Sequence, residues 1–157
     1  MTELNETRDV RCPYHLARRY LAESLSHVPG LGNRRTLTLE MPLVGLALRK
    51  EVTATFAEGA DPMHFDQPWR IRWTPQGGGP YPDFDGELTV RSGEDYTDAM
   101  IELHGFYKPP GGAAGSAFDA VAGSRIAAAT ARQLLGEIAQ QMESRYQKDE
   151  EEKRTSV

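Results

Sequence analysis

The chain lacks the features of disulfide-stapled, membrane-spanning and nucleic-acid-binding proteins. Its single cysteine, Cys12, excludes an internal disulfide and is typical of a reducing compartment. No apolar run approaches the ~20 residues that a membrane-spanning helix needs, and segment 1–9 lacks the apolar core of a signal peptide. The formal net charge of -5 disfavours a polyanionic partner. We therefore expect a cytoplasmic protein with no membrane span and no nucleic-acid partner.

What the chain does contain is the composition of a globular domain. Hydrophobic residues make up 39% and charged residues 26% of its 157 positions, which is enough apolar chain to bury one core. The glycine clusters are typical of turns and not of linkers. We predict a single domain over 1–157, with disordered or frayed polar tails at 1–7 and 147–157.

The longest periodic segment of the sequence is 116–146. Its apolar residues recur at the three- and four-residue spacing of one helix face, mostly as alanine in 117–128 and as larger residues afterwards. A helix that presents small side chains to a sheet either packs very close to it or leaves space, and we interpret the first half of this helix as the wall of a cavity. Phe118 and Ile126 lie off this stripe, where they are exposed, covered by the loop at Gly30, or used in a homodimer contact.

The segments before this helix predict one shorter helix and a run of strands. The helix is expected at 14–26, and alternation of apolar and polar residues predicts strands at 8–12, 35–41, 46–56, 69–74, 84–91 and 96–107. A sheet with one polar face must cover its apolar face, and only the long helix is long enough to do so. The predicted fold class is α+β, a helix-grip in which a curved antiparallel sheet wraps around the long C-terminal helix.

The junction between the last strand and the long helix has a distinctive sequence. Residues 103–112 read LHGFYKPPGG, and residues 118–127 read FDAVAGSRIA. An aromatic strand end and a proline-glycine turn before a long helix, in this order of elements, resemble the START-like (SRPBCC, polyketide cyclase-like) superfamily over about residues 8–146. The resemblance implies a cavity for a lipid, polyketide or other hydrophobic ligand. Because that superfamily has no shared catalytic signature, it assigns no catalytic residue.

Binding of a small hydrophobic ligand between sheet and helix is the leading hypothesis for function. The residues predicted to line the cavity are Lys50, Val52, Ile71, Trp73, Leu88, Leu103, Tyr107, Ala120, Ser124 and Ala128. Aromatic rings among them offer large contact area to apolar ligands. Lys50 falls on the apolar face by alternation, and a buried ammonium is costly unless paired. Either a bulge after Leu48 or a side chain that reaches out at the sheet's rim brings the ammonium to water, or Lys50 meets a ligand carboxylate or a buried acid.

Two other classes of function stay open. One is an enzyme of the cyclase or dehydratase kind, with Lys50, Tyr107 or His104 assisting proton transfer. His104 shares the outer face of its strand with Glu102, so these two side chains could meet. The other is a structural or interaction subunit whose cavity has collapsed. The spacing of the four histidines predicts no metal site, and no cofactor is expected.

Overall fold

A computed structural model describes residues 2–26, 34–43, 46–58, 68–75, 83–95, 97–108 and 117–156. Side chains are described for 2–25, 68–74, 83–95, 97–108 and 124–156. The elements in chain order are β1 (Thr2–Val10), α1 (Tyr14–Ser26), β2 (Arg34–Leu43), β3 (Leu46–Glu58), β4 (Trp69–Pro75), β5 (Asp83–Ser92), β6 (Ala99–Lys108) and α2 (Ala117–Thr155).

The six strands form one sheet in the order β1-β6-β5-β4-β3-β2, and every neighbouring pair is antiparallel. Strands β2 to β6 follow one another as hairpins, whereas β1 joins the far side of the last strand. β1 and β2 are therefore the two edges of the sheet. The predicted α+β class, with an antiparallel sheet and a long C-terminal helix, is confirmed.

Both ends of the chain carry more regular structure than the sequence predicts. β1 begins at Thr2 and α2 continues past Tyr146 to Thr155, so much of 1–7 and 147–157 is strand and helix and not tail. The apolar residues of β1 are Leu4 and Val10, and both are buried. With so few, the alternation of apolar and polar residues in this strand is weak. Its pairing with β6 along its whole length holds it in the sheet.

Helix α2 lies along β1 and in parallel with it. Arg132 Nε lies 3.5 Å from Glu6 Oε2, and the backbone N–H of Arg11 donates to Glu143 Oε1 at 3.0 Å. The strand segment from Glu6 to Arg11 and the helix segment from Arg132 to Glu143 each span about 16 Å, so the two elements stay in step. The helix also packs against β6 and β2, which brings both edge strands of the sheet to it.

The buried face of α2 recurs in pairs, every four residues. The pairs are Ile126 and Ala127, Thr130 and Ala131, Leu134 and Leu135, and Ile138 and Ala139. Because an α-helix has about 3.6 residues per turn, a four-residue repeat advances by roughly 40° at each step and by roughly 120° over these pairs. The buried face is therefore a spiral and not the straight stripe that the sequence pattern predicted.

The two faces of the sheet divide as alternation predicted. Trp69, Ile71 and Trp73 point into the core, and the intervening Arg70 and Arg72 are exposed. The same division holds in β6, where Ala99, Ile101, Leu103, Gly105 and Tyr107 are buried. We call the side that packs on the core the concave face, after the curvature that the sequence predicts, and the opposite side the outer face.

The arginines of the outer face lie in ion pairs, as expected for a solvated, salt-bridged surface. Arg70 and Arg72 each place a guanidinium nitrogen 3.1 Å from Asp85 Oδ2, and Arg91 Nε lies 3.4 Å from Glu102 Oε2. The hydrogen bond from Arg70, helped by the one from Arg72, holds the pKa of Asp85 below its ordinary value. Neither helix in the described part of the chain is both long and apolar enough to cross a membrane.

Candidate functional site

Cross-strand pairing arranges the concave-face residues of β1, β6, β5 and β4 into rows. The aromatic row is Thr2, Tyr107, Phe84 and Trp73; the glycine row is Leu4, Gly105, Gly86 and Ile71; the leucine row is Glu6, Leu103, Leu88 and Trp69. These three adjacent rows contain every strand residue with a described side chain that the sequence assigned to the cavity wall.

The glycine row contains two glycines opposite each other, Gly86 on β5 and Gly105 on β6. A Cβ atom on Gly105 would clash with the carbonyl oxygen of Asp85 and would lie 2.5 Å from Gly86 Cα. A Cβ atom on Gly86 would clash with the carbonyl oxygen of His104. The strands approach too closely at this point for any side chain, so glycine is required at both positions.

The ring of Phe84 extends from the aromatic row over the glycine pair. Its Cζ atom would lie 2.5 Å from a Cβ on Gly86 and 2.7 Å from one on Gly105. On its other side the ring stacks on Trp73, with centroids 4.1 Å apart and an interplanar angle of 15°. Phe84 therefore fills the space that the two glycines leave on the concave face.

The glycine row lies level with the alanine-rich part of α2. The contact between Glu6 and Arg132 sets the level of the leucine row. Leu4 lies two residues before Glu6, about 6.6 Å back along β1. The same distance along α2 corresponds to four or five residues before Arg132, which is roughly the position of Ala128. Ala127 and Ala131 are fully buried there, and Ala128 is partly buried against the core. Small residues therefore occur on both sides of the same layer.

Five of the predicted wall residues come together on the concave face. Ile71, Trp73, Leu88 and Leu103 expose 0% of their surface and Tyr107 exposes 3%. A residue with no accessible surface has no water-sized void against it. Side chains of the chain itself thus close this part of the predicted cavity.

The residues predicted from α2 divide differently. Ala128 is partly buried, as a wall residue would be, but Ser124 is exposed, so its predicted inward position is wrong. The spiral of the buried face explains this, because at the start of the helix the core side is centred on Ile126 and Ala127. The side chain of Ala120 lies outside the described residues.

Two further wall residues come from β3, where only the backbone is described. Lys50 pairs with Leu39 of β2, and Val52 pairs with Leu37 and with Pro75 of β4. Their side chains lie outside the described residues, so the two alternatives for the Lys50 ammonium stay open.

The spiral also corrects the predicted dimer surface. Ile126, expected off the core side of α2, exposes only 4% of its surface and belongs to the core. Of the three alternatives for Ile126, exposure is therefore wrong, and the loop at Gly30 that could cover it lies outside the described residues. The side chain of Phe118 lies outside the described residues. The exposed large apolar side chain of the described part is instead Phe106, at 45%, on the outer face of β6.

The candidates for proton transfer do not converge. His104 lies on the outer face, where its Nε2 is 2.8 Å from Glu3 Oε1 of β1. Glu102, the partner expected for His104, pairs with Arg91 instead. Tyr107 lies on the opposite, concave face, so the sheet separates it from His104.

A polar cluster joins α1 to α2 away from the three rows. The Tyr20 hydroxyl donates to Asp149 Oδ2 at 2.6 Å, and Arg145 Nε lies 3.7 Å from both Asp149 Oδ1 and Glu23 Oε2. Burial, followed by the hydrogen bond to Asp149, raises the pKa of Tyr20. An open groove of about 450 Å³ runs beside this cluster. Arg19 also pairs with Glu23 and Asp149, so two arginines balance two carboxylates and the cluster joins the two helices.

Neither thiol nor metal chemistry is indicated in the described part of the chain. Cys12 is fully buried, and burial raises its pKa to about 11, which keeps the thiol protonated and unreactive at neutral pH. The described residues contain no group of three or more histidine, cysteine, aspartate or glutamate side chains that could hold a metal ion.

The predicted site omitted Phe84, Gly86 and Gly105. Phe84 and Gly105 were expected on the inner face but not in the cavity wall, and Gly86 was assigned no role. An isolated glycine inside a strand pattern indicates a close backbone approach, and Gly86 and Gly105 both show that signal. Their direct pairing depends on strand register, which the sequence pattern does not specify.

Comparisons with models of protein families and with curated proteins find no match for this chain. Any assignment of function therefore depends on the residues described above.

Proposed function

We propose that the chain is a START-like, helix-grip module that binds a small apolar ligand between the concave face of the sheet and the first half of α2. The observation that carries this proposal is the aromatic row of Trp73, Phe84 and Tyr107, from which the Phe84 ring reaches over the glycine pair, level with the alanines of the helix. Stacked rings bordered by small residues provide flat apolar surface with little steric obstruction.

The packing of both sheet edges against α2 supports an enclosed site. β1 and β2 are the first and the last strand in the sheet order, yet both contact the helix. A flat sheet of six strands spaced about 4.8 Å apart is far wider than one helix, so contact with both edges supports a sheet that curves around α2. A concave face enclosed in this way suits a ligand that leaves water on binding.

Entry of a ligand requires movement of side chains or of the helix. Trp73 and Ile71 expose no surface, so the ligand must displace groups that now touch them. In the described part of α2 before Leu134, the buried side chains are those of Ile126, Ala127, Thr130 and Ala131, which contribute less buried apolar area than Leu134, Leu135, Ile138 and Met142. Separation of this first part from the sheet is therefore the less costly opening.

The proposal is tested by using Trp73 as the reporter of binding. The chain has two tryptophans, so the Trp69→Phe variant keeps Trp73, on the aromatic row, as its one tryptophan. Titration with naphthalene should change Trp73 emission saturably, and native mass spectrometry should detect a small apolar molecule that copurifies with the protein. Ala128→Phe should abolish the emission change by filling the space beside the rings.

Ser124→Phe is the matched control for Ala128→Phe. It adds the same ring to the same helix, one turn earlier, at an exposed position. Binding should persist in this variant, and circular dichroism should show both variants folded. Absence of a saturable change in the unsubstituted chain, together with no copurified molecule, would overturn the proposal.

The closed packing favours one alternative, an interaction subunit with a collapsed cavity. Four of the wall residues leave no water-sized void, as a permanently filled core would. This alternative predicts that naphthalene does not bind, even at the highest concentration that dissolves in water. It also predicts that the melting temperature of the chain does not change with any apolar probe.

A further inference from the structure

Strand β1 has a neighbouring strand on one side only. It is the outermost of the six strands, and β6 pairs with it along all nine of its residues. In the part of the chain that the structure describes, no strand pairs with its other side, so the backbone N–H and C=O groups that point there are not used by the sheet. A free edge of this length can pair with another extended chain.

Helix α2 covers β1 from the core side and leaves its edge accessible. The helix reaches the concave face of the strand at Glu6, through Arg132. Arg8 lies two residues further along the same face and is exposed, which shows that the helix does not close the edge there. The exposed side chains in this part of the strand are Asn5, Thr7, Arg8 and Asp9.

These exposed polar side chains have no partners inside the described part of the chain. Glu3 and Glu6 form ion pairs with His104 and Arg132. The side chains that form no hydrogen bond or ion pair with any described residue are Asn5, Thr7, Arg8 and Asp9. A row of charged and hydrogen-bonding groups along a strand edge suits a partner that supplies the opposite groups.

A second copy of β1 supplies those groups in one register. Residues that face each other across an antiparallel pair lie on the same face of the sheet, so two copies related by a two-fold axis must centre on a residue. When the axis passes through Thr7, Arg8 faces Glu6 of the second copy, and Glu6 faces Arg8. The other facing pairs are Thr7 with Thr7, Asn5 with Asp9, and Leu4 with Val10.

The neighbouring registers are unfavourable. An axis through Glu6 sets two carboxylates against each other and Leu4 against Arg8. An axis through Arg8 sets two guanidinium groups against each other, and an axis through Asn5 sets Leu4 against Glu6. The register centred on Thr7 is therefore the one in which acid faces base and no apolar residue faces a charged one.

We propose that the edge of β1 is an interaction surface for a second copy of this chain, with the two β1 strands antiparallel and Thr7 on the two-fold axis. The two sheets then join into one, with both concave faces on the same side. A contact limited to two facing strands is small, and small interfaces are weak and transient. The dimer should therefore form reversibly, at micromolar concentration or above.

A cysteine on the two-fold axis tests the register. Thr7→Cys places the new thiol opposite its own copy, where facing Cβ atoms lie about 4.5 to 5.5 Å apart, so oxidation with diamide should link the chains into disulfide dimers. Asn5→Cys is the matched control on the same face, because its two copies lie about 14 Å apart in this register and should not link. The native Cys12 is fully buried. Equal linking of the two variants on non-reducing electrophoresis would contradict the register.

Charge reversal at Arg8 tests the interface without a cross-link. Analytical ultracentrifugation of the unsubstituted chain should show a monomer–dimer equilibrium. Arg8→Glu should raise the dissociation constant about tenfold or more, because each new carboxylate faces Glu6 of the other copy. Arg154→Glu, an equal change of charge at the exposed end of α2, should leave it unchanged.

Two results of the ultracentrifugation would overturn the proposal. One is an unsubstituted chain that circular dichroism shows to be folded and that stays a monomer at every concentration. In that case the charges of β1 serve to prevent edge pairing. The other is a dimer that Arg8→Glu weakens no more than Arg154→Glu does, which would place the interface elsewhere on the chain.

Discussion

The glycine row and the leucine row occupy adjacent layers of one concave face, and they are packed in different ways. In the leucine row, Leu103 and Leu88 each fill the space above their own backbone. In the glycine row, that space is filled by a ring that belongs to another row. The packing of a layer that is filled by its own side chains depends on the volumes of those residues. The packing of a layer that is filled by a residue of another row depends on the rotamer of that one residue. The difference predicts distinct responses to substitution.

The largest effect is expected from truncation in the leucine row. Leu103→Ala should lower the free energy of unfolding by about 2 to 5 kcal/mol, because it leaves a cavity in a layer with no adjacent residue to fill it. Urea denaturation measures this change, with the exposed Lys108→Ala on the same strand as control. A loss below about 1 kcal/mol would show that the layer collapses around the gap.

A smaller loss is expected from addition of one methyl group in the glycine row. Gly105→Ala should lower the free energy of unfolding by about 1 to 3 kcal/mol, since the new Cβ meets backbone atoms of Asp85 and Gly86 first. For the same reason, the addition of Phe84→Leu to the Gly105→Ala variant should not restore the lost free energy of unfolding. A double-mutant cycle measures this. Recovery in the double variant would mean that the ring, and not the backbone, sets the limit.

The same glycine-to-alanine change should have the opposite sign on α2. A Cβ on Gly136 would meet nothing within 4 Å. Gly136→Ala should therefore raise the free energy of unfolding by about 0.5 to 1 kcal/mol through the higher helix propensity of alanine. Thermal melts that compare Gly136→Ala with Gly105→Ala separate the steric effect of the added methyl group from its effect on the conformational freedom of the backbone. Destabilisation by Gly136→Ala would contradict the open surroundings of this position.

The smallest effect is expected at the polar cluster of α1 and α2, outside both rows. The hydrogen bond from Tyr20, followed by the charges of Arg145 and Arg19, holds the pKa of Asp149 below its ordinary value. The contribution of this carboxylate is complete above the ordinary aspartate pKa and is lost as the pH falls below about 4 toward the lowered value. Tyr20→Phe should make the melting temperature less dependent on pH in that acid range. An identical acid profile would show that the hydrogen bond is not maintained in solution.

Alternation predicted which strand residues point inward but not how they pair into rows or how the rows pack. Trp73, Ile71 and Leu103 alternate with polar neighbours, so their inward positions followed directly from the sequence. The filling of the glycine row depends on which residues pair across strands, and register is set by the whole sheet. No pattern within β5 alone places the ring of Phe84 over a glycine of β6.

The positions of Ser124 and Ile126 show a second limit of periodicity. A search for one straight stripe along 117–142 includes Ser124 and leaves Ile126 outside. The structure has the reverse, because its buried pairs repeat every four residues and so turn around the helix axis. Alanine fits many helix faces equally well. The alanine-rich part of the sequence therefore did not indicate the direction in which the buried face turns around the helix axis.

The pairing of β1 with β6 has a consequence for the order of folding. β1 precedes the other five strands in the sheet, but its hydrogen-bonding partner begins at Ala99 and the helix that covers it is anchored at Arg132 and Glu143. Contacts between residues so distant in sequence slow folding, since the intervening loop must close before they form. During synthesis, β1 therefore stays without its partner strand until β6 has left the ribosome. Deletion of residues 2–10 should thus leave the remaining chain with an exposed β6 edge and a tendency to aggregate.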